Sequence, residues 1–181
     1  MKRTRLVFSG SGGQGVITAA IILAEAAVIY GGMNATQSQS YGAAARGGTT
    51  RSDVILSDSE IHFPGVTQPN ILVCLTQEAY ISYSPIIRPG GLLLSDSRFV
   101  KTIKKVDAKQ IELPIYESVM EKIGKPIVFN ISVLGALIGI TELVDPVSIM
   151  EVIRTRVPED FIAMNNRALD IGLVMGSQYR I

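Results

Sequence analysis

The stretch LVFSGSGGQGVITAAIIL, from Leu6 to Leu23, decides the fold of this chain. Its first three residues are apolar and indicate a strand buried on both faces. Residues 9–15 are small and glycine-rich and predict a turn. From Val16 a long uncharged run indicates a helix that ends near Gly31. A strand, a glycine turn and a helix in this order predict the α/β class.

The glycines of this turn have the G-x-G-x-x-G spacing that dinucleotide-binding folds place between a strand and a helix. A backbone without side chains, with free N–H groups at the start of a helix, can hold a phosphate or a carboxylate. Alternatively, the glycines only let the helix pack closely on the sheet. The candidate ligand-binding or interface residues of the turn are Gly10, Gly12, Gly13, Gln14 and Gly15.

One requirement of NAD or FAD binding is not met. A dinucleotide-binding fold places an acidic residue about 20 positions after the glycines to hold the ribose. Residues 34–40 read NATQSQS, and no Asp or Glu occurs between Glu25 and Asp53. This absence argues against a nucleotide cofactor, so a stand-alone nucleotide-binding oxidoreductase is kept only as an alternative.

The composition bounds the class of protein. A chain of 181 residues predicts a single domain over residues 1–181. The net charge of +1, without a basic stripe, argues against a nucleic-acid partner. With 47% hydrophobic and only 18% charged residues, the chain is apolar for its size. We therefore expect an extensive subunit interface, in a larger complex or in a homodimer of the isolated chain.

Metal and membrane sites are not expected. Cys74 is the only cysteine and lies in an apolar run, so it is predicted to be a small buried side chain; a disulfide or an iron–sulfur cluster within this chain is excluded. His62, the only histidine, has no partner at metal-site spacing. The uncharged run 127–141 is shorter than a membrane span, and no signal peptide is recognisable. The expected location is the cytoplasm.

The rest of the chain alternates between strand and helix patterns. Residues 33–40 are predicted to be part strand and part loop, and Asp58-Ser59 a tight turn into a short strand at 60–63. Strands are predicted at 49–57, 70–75, 92–94 and 110–115, and helices at 76–87, 116–123, 131–143, 146–155 and from 159 onward.

Helix caps and small residues add detail to this pattern. Thr76, Asn130 and Asp145 are each predicted to cap the start of a helix. Gly135 and Gly139 share one helix face and predict the close approach of a neighbouring element. The fold class is therefore α/β: a three-layer, Rossmann-like arrangement with a mixed, mostly parallel sheet and helices on both faces.

A second informative stretch, QSYGAAARGG, covers residues 39–48. Arg46 offers a planar fork of donors that suits a carboxylate or a phosphate. Gly47 and Gly48 leave the adjacent backbone open to a partner, and Tyr41 precedes them. Alternatively, the arginine caps carbonyl groups inside the subunit or across an interface. The second set of candidate residues is Tyr41, Arg46, Gly47 and Gly48.

These motifs together resemble one family. They are GSGGQGV at 10–16, SYG followed by RGG within 40–48, IHFP at 61–64 and RVPEDFIAMNNRALDIG at 156–172. The chain resembles the gamma subunits of 2-oxoacid:ferredoxin oxidoreductases, with QSQSYG closest to the 2-oxoglutarate members. It departs from the family where an acidic triplet usually stands, since residues 43–45 are alanines.

The resemblance implies a multi-subunit enzyme that converts a 2-oxoacid and coenzyme A to an acyl-CoA, CO2 and reduced ferredoxin. It implies that thiamine diphosphate, Mg²⁺ and iron–sulfur clusters are held by the alpha, beta and possibly delta subunits. Chemistry that belongs to a cofactor takes place where the cofactor lies. This chain is therefore expected to supply no catalytic residue and no metal ligand. It would instead shape the entrance used by CoA, or serve purely in assembly.

Overall fold

The computed structural model describes residues 3–41, 49–103 and 105–181. The strands are β1 (Thr4–Ser11), β2 (Asn34–Tyr41), β3 (Thr49–Ser57), β4 (Ile71–Cys74), β5 (Gly91–Asp96) and β6 (Ala108–Leu113). The helices are α1 (Val16–Ile29), α2 (Gln77–Tyr83), α3 (Ile115–Lys122), α4 (Phe129–Thr141), α5 (Pro146–Arg156) and α6 (Glu159–Ser177). Two short 3₁₀ turns, Ser84–Ile86 and Pro126–Val128, follow α2 and precede α4.

The six strands form one mixed sheet in the order β2-β3-β1-β4-β5-β6. The β1–β4, β4–β5 and β5–β6 pairs are parallel, whereas β3 runs antiparallel to both β1 and β2. The prediction of a mixed, mostly parallel sheet is confirmed. Strands β2 and β3 are consecutive in the chain and pair along the whole length of β2.

Helices cover both faces of the sheet, as predicted, but unequally. Alternate strand residues such as Leu6 and Phe8 face the larger layer, built from α1, α3, α4, α5 and α6. Val7 and Leu72 point the other way, towards α2 and the segments around Val66 and Val100. Strands buried on both faces need apolar residues at consecutive positions, which explains the unbroken apolar runs in the sequence.

Two predictions around β2 and β3 are wrong. Residues 34–41 are strand throughout, because Asn34 to Tyr41 pair in register with β3. Residues 60–63 are not a strand. Both edges of β3 are already paired, one with β2 and one with β1, so a further strand has no edge to join. Instead, the Ser57 hydroxyl accepts a hydrogen bond from the Ser59 amide and turns the chain.

Two of the three predicted helix caps are confirmed. The Thr76 hydroxyl accepts from the Ala79 amide at 3.1 Å, and the Asp145 carboxylate accepts from the Val147 amide at 2.8 Å. The cap predicted at Asn130 is wrong, because α4 already begins at Phe129. The Asn130 side chain points away from its own helix and donates to a neighbouring turn.

Candidate functional site

The glycine turn lies where β1 ends, at the carboxyl edge of the parallel strands. Gly13 has φ +87° and Gly15 has φ +71°, a backbone region that strongly favours glycine. Gly15 forms the N-cap of α1 and, having no side chain, makes no capping hydrogen bond to the first amides of the helix. The first amides of α1 have no carbonyl partner within the helix and lie at the positive end of the helix dipole.

Gln14 closes the crevice that a dinucleotide would need. Its Oε1 accepts a hydrogen bond from the Ser11 amide at 2.8 Å, and its Nε2 donates to the Leu75 carbonyl at 3.0 Å. After β1 the chain crosses to α1 on one face of the sheet, and after β4 it crosses to α2 on the other face. The gap between the ends of β1 and β4 is therefore the switch point at which α/β folds bind ligands. The Gln14 side chain spans this gap.

The individual glycines have different roles. A Cβ at Gly10 would lie 2.6 Å from the Gln14 Oε1, so Gly10 makes room for that side chain. A Cβ at Gly15 would lie 2.6 Å from the Asn130 Nδ2. A Cβ at Gly12 would meet nothing within 4 Å. Gly10 and Gly15 thus make room for the side chains of Gln14 and Asn130, whereas Gly12 and Gly13 are exposed.

Two open clefts border the turn. A smaller one of 270 Å³ lies between the turn, the first residues of α1 and Thr50. A larger one of 460 Å³ lies between the turn and the amino-terminal ends of α4 and α6. Its walls are mostly apolar, with polar groups at Asn130, Asn165 and Arg156.

Two buried asparagines lie in the wall of the larger cleft, and only Asn130, which was not predicted as a site residue, contacts the glycine turn. Asn130 and Asn165 are both more than nine-tenths buried. Asn130 Nδ2 donates to the Gly15 carbonyl at 3.3 Å, and Asn165 Nδ2 donates to the Phe161 carbonyl at 2.9 Å. In the sequence, the one hint of this contact is that Asn130 stands in a mostly apolar helix. The predicted helix cap explained that position equally well.

The second predicted motif lies mostly outside the described residues. Arg46, Gly47 and Gly48 are not described, and of Tyr41 only the backbone position is. The strand ends on either side are well defined: Tyr41 is paired with Thr50, and Thr49 is opposite Ser11. Of these two strand ends, Thr49 lies next to the end of β1, and Tyr41 lies one strand further away.

Two buried groups near the carboxyl ends of β4 and β5 have raised pKa values. Burial raises the pKa of the Cys74 thiol to about 12, so this thiol stays protonated and behaves as the predicted small hydrophobic side chain. Burial also raises the pKa of Asp96, against the opposing effect of the amides that donate to it. In the described parts of the chain no group of three or more His, Cys, Asp or Glu residues could hold a metal ion. None of the described helices is long and apolar enough to cross a membrane.

A family model described as pyruvate ferredoxin/flavodoxin oxidoreductase matches residues 5–174. The chain belongs to this family. The 2-oxoglutarate synthase subunit KorC of Methanocaldococcus jannaschii is 44% identical to this chain. The alignment covers 159 residues, which is 87% of this chain and 85% of KorC. The resemblance drawn from the sequence motifs is confirmed.

Two solved structures of ferredoxin oxidoreductases share the fold of this chain. The gamma subunit of a keto/oxoacid ferredoxin oxidoreductase from Geobacter sulfurreducens superimposes with a TM-score of 0.90 at 38% identity, over the full length of both chains. A 2-oxoglutarate:ferredoxin oxidoreductase from Magnetococcus marinus gives a TM-score of 0.87 at 21% identity, over 98% of this chain and 32% of that one. The second match shows the common fold alone.

Proposed function

We propose that this chain is the gamma subunit of a 2-oxoglutarate:ferredoxin oxidoreductase. The observation that carries the proposal is the 44% identity to a 2-oxoglutarate synthase subunit over most of both proteins. The complex would oxidatively decarboxylate 2-oxoglutarate with CoA, giving succinyl-CoA, CO2 and reduced ferredoxin. The cytoplasm is the proposed location.

The proposal assigns the chemistry to partner subunits. Thiamine diphosphate, Mg²⁺ and iron–sulfur clusters would lie in the alpha, beta and possibly delta chains, and ferredoxin would be reached through the complex. This chain has a single cysteine, which is too few to ligate a cluster by itself, and that cysteine is buried. Its contribution would be to shape the entrance for CoA.

Within this chain, the proposed contact surface consists of the glycine turn and the second motif. Gly12 and Gly13 are exposed, and the start of α1 carries no side-chain cap. The proposal adds Arg46 because the strand that follows it in the sequence begins at Thr49, opposite Ser11. Amides at a helix start and a guanidinium both favour an anion, so CoA phosphates or the oxoacid carboxylate are the proposed ligands.

A purely structural assembly subunit is the second candidate. It is favoured by large apolar side chains at the surface, such as Ile29, Ile127 and Val174, each more than 60% exposed. Such residues suit a covered subunit interface. A stand-alone nucleotide-binding oxidoreductase has less support, because Gln14 fills the crevice that a dinucleotide needs.

Co-purification from the source cell, followed by an oxoacid screen with a viologen acceptor, tests the assignment. The expected result is co-elution with alpha and beta subunits and CoA-dependent viologen reduction with 2-oxoglutarate. Arg46→Ala in the reconstituted complex should raise the apparent KM for CoA or 2-oxoglutarate. Unchanged kinetics with weaker assembly would support the structural candidate, and turnover by the isolated chain would refute the proposal.

A further inference from the structure

The glycine turn is held from two sides by amide side chains. On one side, Gln14 links the Ser11 amide to the Leu75 carbonyl, tying the turn to the end of β4. On the other side, Asn130 donates to the Gly15 carbonyl from the first turn of α4. Asn130 is buried and Gln14 is half-buried.

The contact between Asn130 and Gly15 is tight as well as polar. A Cβ at position 15 would lie between 2.6 and 2.9 Å from three atoms of the Asn130 side chain. Asn130 therefore fills the space beside Gly15, while Gly15 keeps the φ of +71° that starts α1. A turn of exposed glycines has many other conformations available, so such contacts are what limit it to one.

We infer that Gln14 and Asn130 are positioning residues for the site, and that they hold the turn and the first amides of α1 in one arrangement. This inference rests on the proposed function, since it concerns how that turn meets CoA or 2-oxoglutarate. A ligand that binds a preformed turn does not bear the entropy cost of ordering it, so it binds more tightly. Loosening the turn should therefore raise KM more than it lowers kcat.

Near-isosteric substitutions test the two residues separately. Gln14→Glu replaces the donor to the Leu75 carbonyl by an oxygen, and Asn130→Asp does the same to the donor for the Gly15 carbonyl. Each change retains the shape of the side chain but makes the contact repulsive. Should Gln14→Glu fail to fold, Gln14→Met keeps the length without the charge and serves in its place.

The chain offers a matched control for each variant. Gln77 makes the same pair of bonds elsewhere: its Oε1 accepts from the Lys101 amide at 2.7 Å and its Nε2 donates to the Lys101 carbonyl at 3.2 Å. Asn165 lines the same cleft as Asn130 but donates to the Phe161 carbonyl of its own helix. Gln77→Glu and Asn165→Asp thus repeat the chemistry without touching the turn.

Two measurements on the reconstituted complex decide the question: steady-state kinetics, and amide hydrogen exchange of residues 11–18 before CoA is added. Gln14→Glu and Asn130→Asp should raise the KM for CoA or 2-oxoglutarate about tenfold, the equivalent of one lost hydrogen bond of about 1.4 kcal/mol, with kcat little changed. Exchange over residues 11–18 should become faster. Neither control should change KM or this exchange.

The outcomes separate this inference from the proposed function. Faster exchange with unchanged KM, or unchanged exchange, would overturn the positioning role, and so would an equal rise in KM for the controls. A wild-type complex that does not oxidise 2-oxoglutarate with CoA would refute the proposed function. In that case the exchange measurement would still decide whether the two amides hold the turn.

Discussion

Gly172 of α6 lies against the backbone of Ser132 of α4, and no side chain fits between them. A Cβ on Gly172 would overlap the Ser132 carbonyl oxygen and lie 2.6 Å from the Ala136 amide nitrogen. Gly135 on α4 faces the Leu169 carbonyl in the same way. Glycines on both helices thus let the two backbones touch, which holds α4, and with it Asn130, in a fixed place.

Gly172→Ala should therefore destabilise the fold. The new methyl group has only backbone as its neighbour, so the helices must separate, at a cost of about 1–3 kcal/mol or more. Urea unfolding of the purified chain measures this cost. Gly12→Ala is the control, because a Cβ there meets nothing within 4 Å, and its stability should stay within about 1 kcal/mol of wild type. Equal stability of the two variants would contradict the close packing.

Half of this helix contact could be predicted from the sequence. Gly135 and Gly139 lie in an apolar segment at i,i+4 spacing, which indicated close approach. Gly172 and Gly176 have the same spacing, but their helix also carries charged residues and its partner could not be identified. Glycines at i,i+4 spacing on one helix indicate that a neighbouring element packs closely there. Which element it is depends on the tertiary structure.

Asp96 should stabilise the junction between β5 and α3. Its carboxylate accepts from the Tyr116 amide at 2.7 Å and from the Arg98 amide at 2.9 Å. Asp96→Ala leaves both amides without this partner, and we expect a loss of about 1–3 kcal/mol in the free energy of unfolding. Asp96→Asn retains one acceptor oxygen and should lose less. Burial raises the pKa of this carboxyl, so the folded chain takes up the proton at a higher pH than the unfolded chain does. The free energy of unfolding of the wild type should therefore increase as the pH falls through this raised pKa. Equal losses in both variants would argue against the capping role.

The elements of the fold followed from local patterns, whereas its topology and the clamped turn did not. The first strand and α1 were predicted because apolar runs and glycines specify them locally, but residues 9–11, which were assigned to the turn, continue β1 through pairing with β3. The antiparallel place of β3 depends on pairing between distant residues. Likewise, Asn130 meets Gly15 across 115 positions of the chain, and its local sequence fitted a helix cap equally well.

Cys74 should be inert in the folded chain. It is fully buried, and burial raises the pKa of its thiol to about 12, so almost no thiolate is present at neutral pH. Iodoacetamide at pH 8 should label it only after denaturant unfolds the chain. Stability should also fall as the pH rises from 9 to about 12, since the unfolded thiol then ionises and the folded one does not. Rapid labelling of native protein would contradict this.

Glu25 and Arg156 join α1 to the end of α5 at the rim of the larger cleft. Both guanidinium nitrogens that face Glu25 donate to its carboxylate. This hydrogen bonding, assisted by the charge of Arg156, holds the pKa of Glu25 below its usual value of 4.5. The folded chain therefore gives up this proton at a lower pH than the unfolded chain does. The resulting stability is present above pH 4.5 and is lost as the pH falls through the lowered pKa.

Glu25→Gln should remove this pH-dependent contribution. Because both side chains are about one-third exposed, we expect only about 0.5 kcal/mol at neutral pH, and less at high salt. Unfolding free energies of wild type and variant, measured between about pH 3 and pH 7, should differ at neutral pH and converge in acid. Glu151→Gln, which breaks the more exposed pair with Arg154, is the control and should show a smaller difference. A Glu25→Gln effect that stayed constant over the whole pH range would show that the pair does not act through its charge.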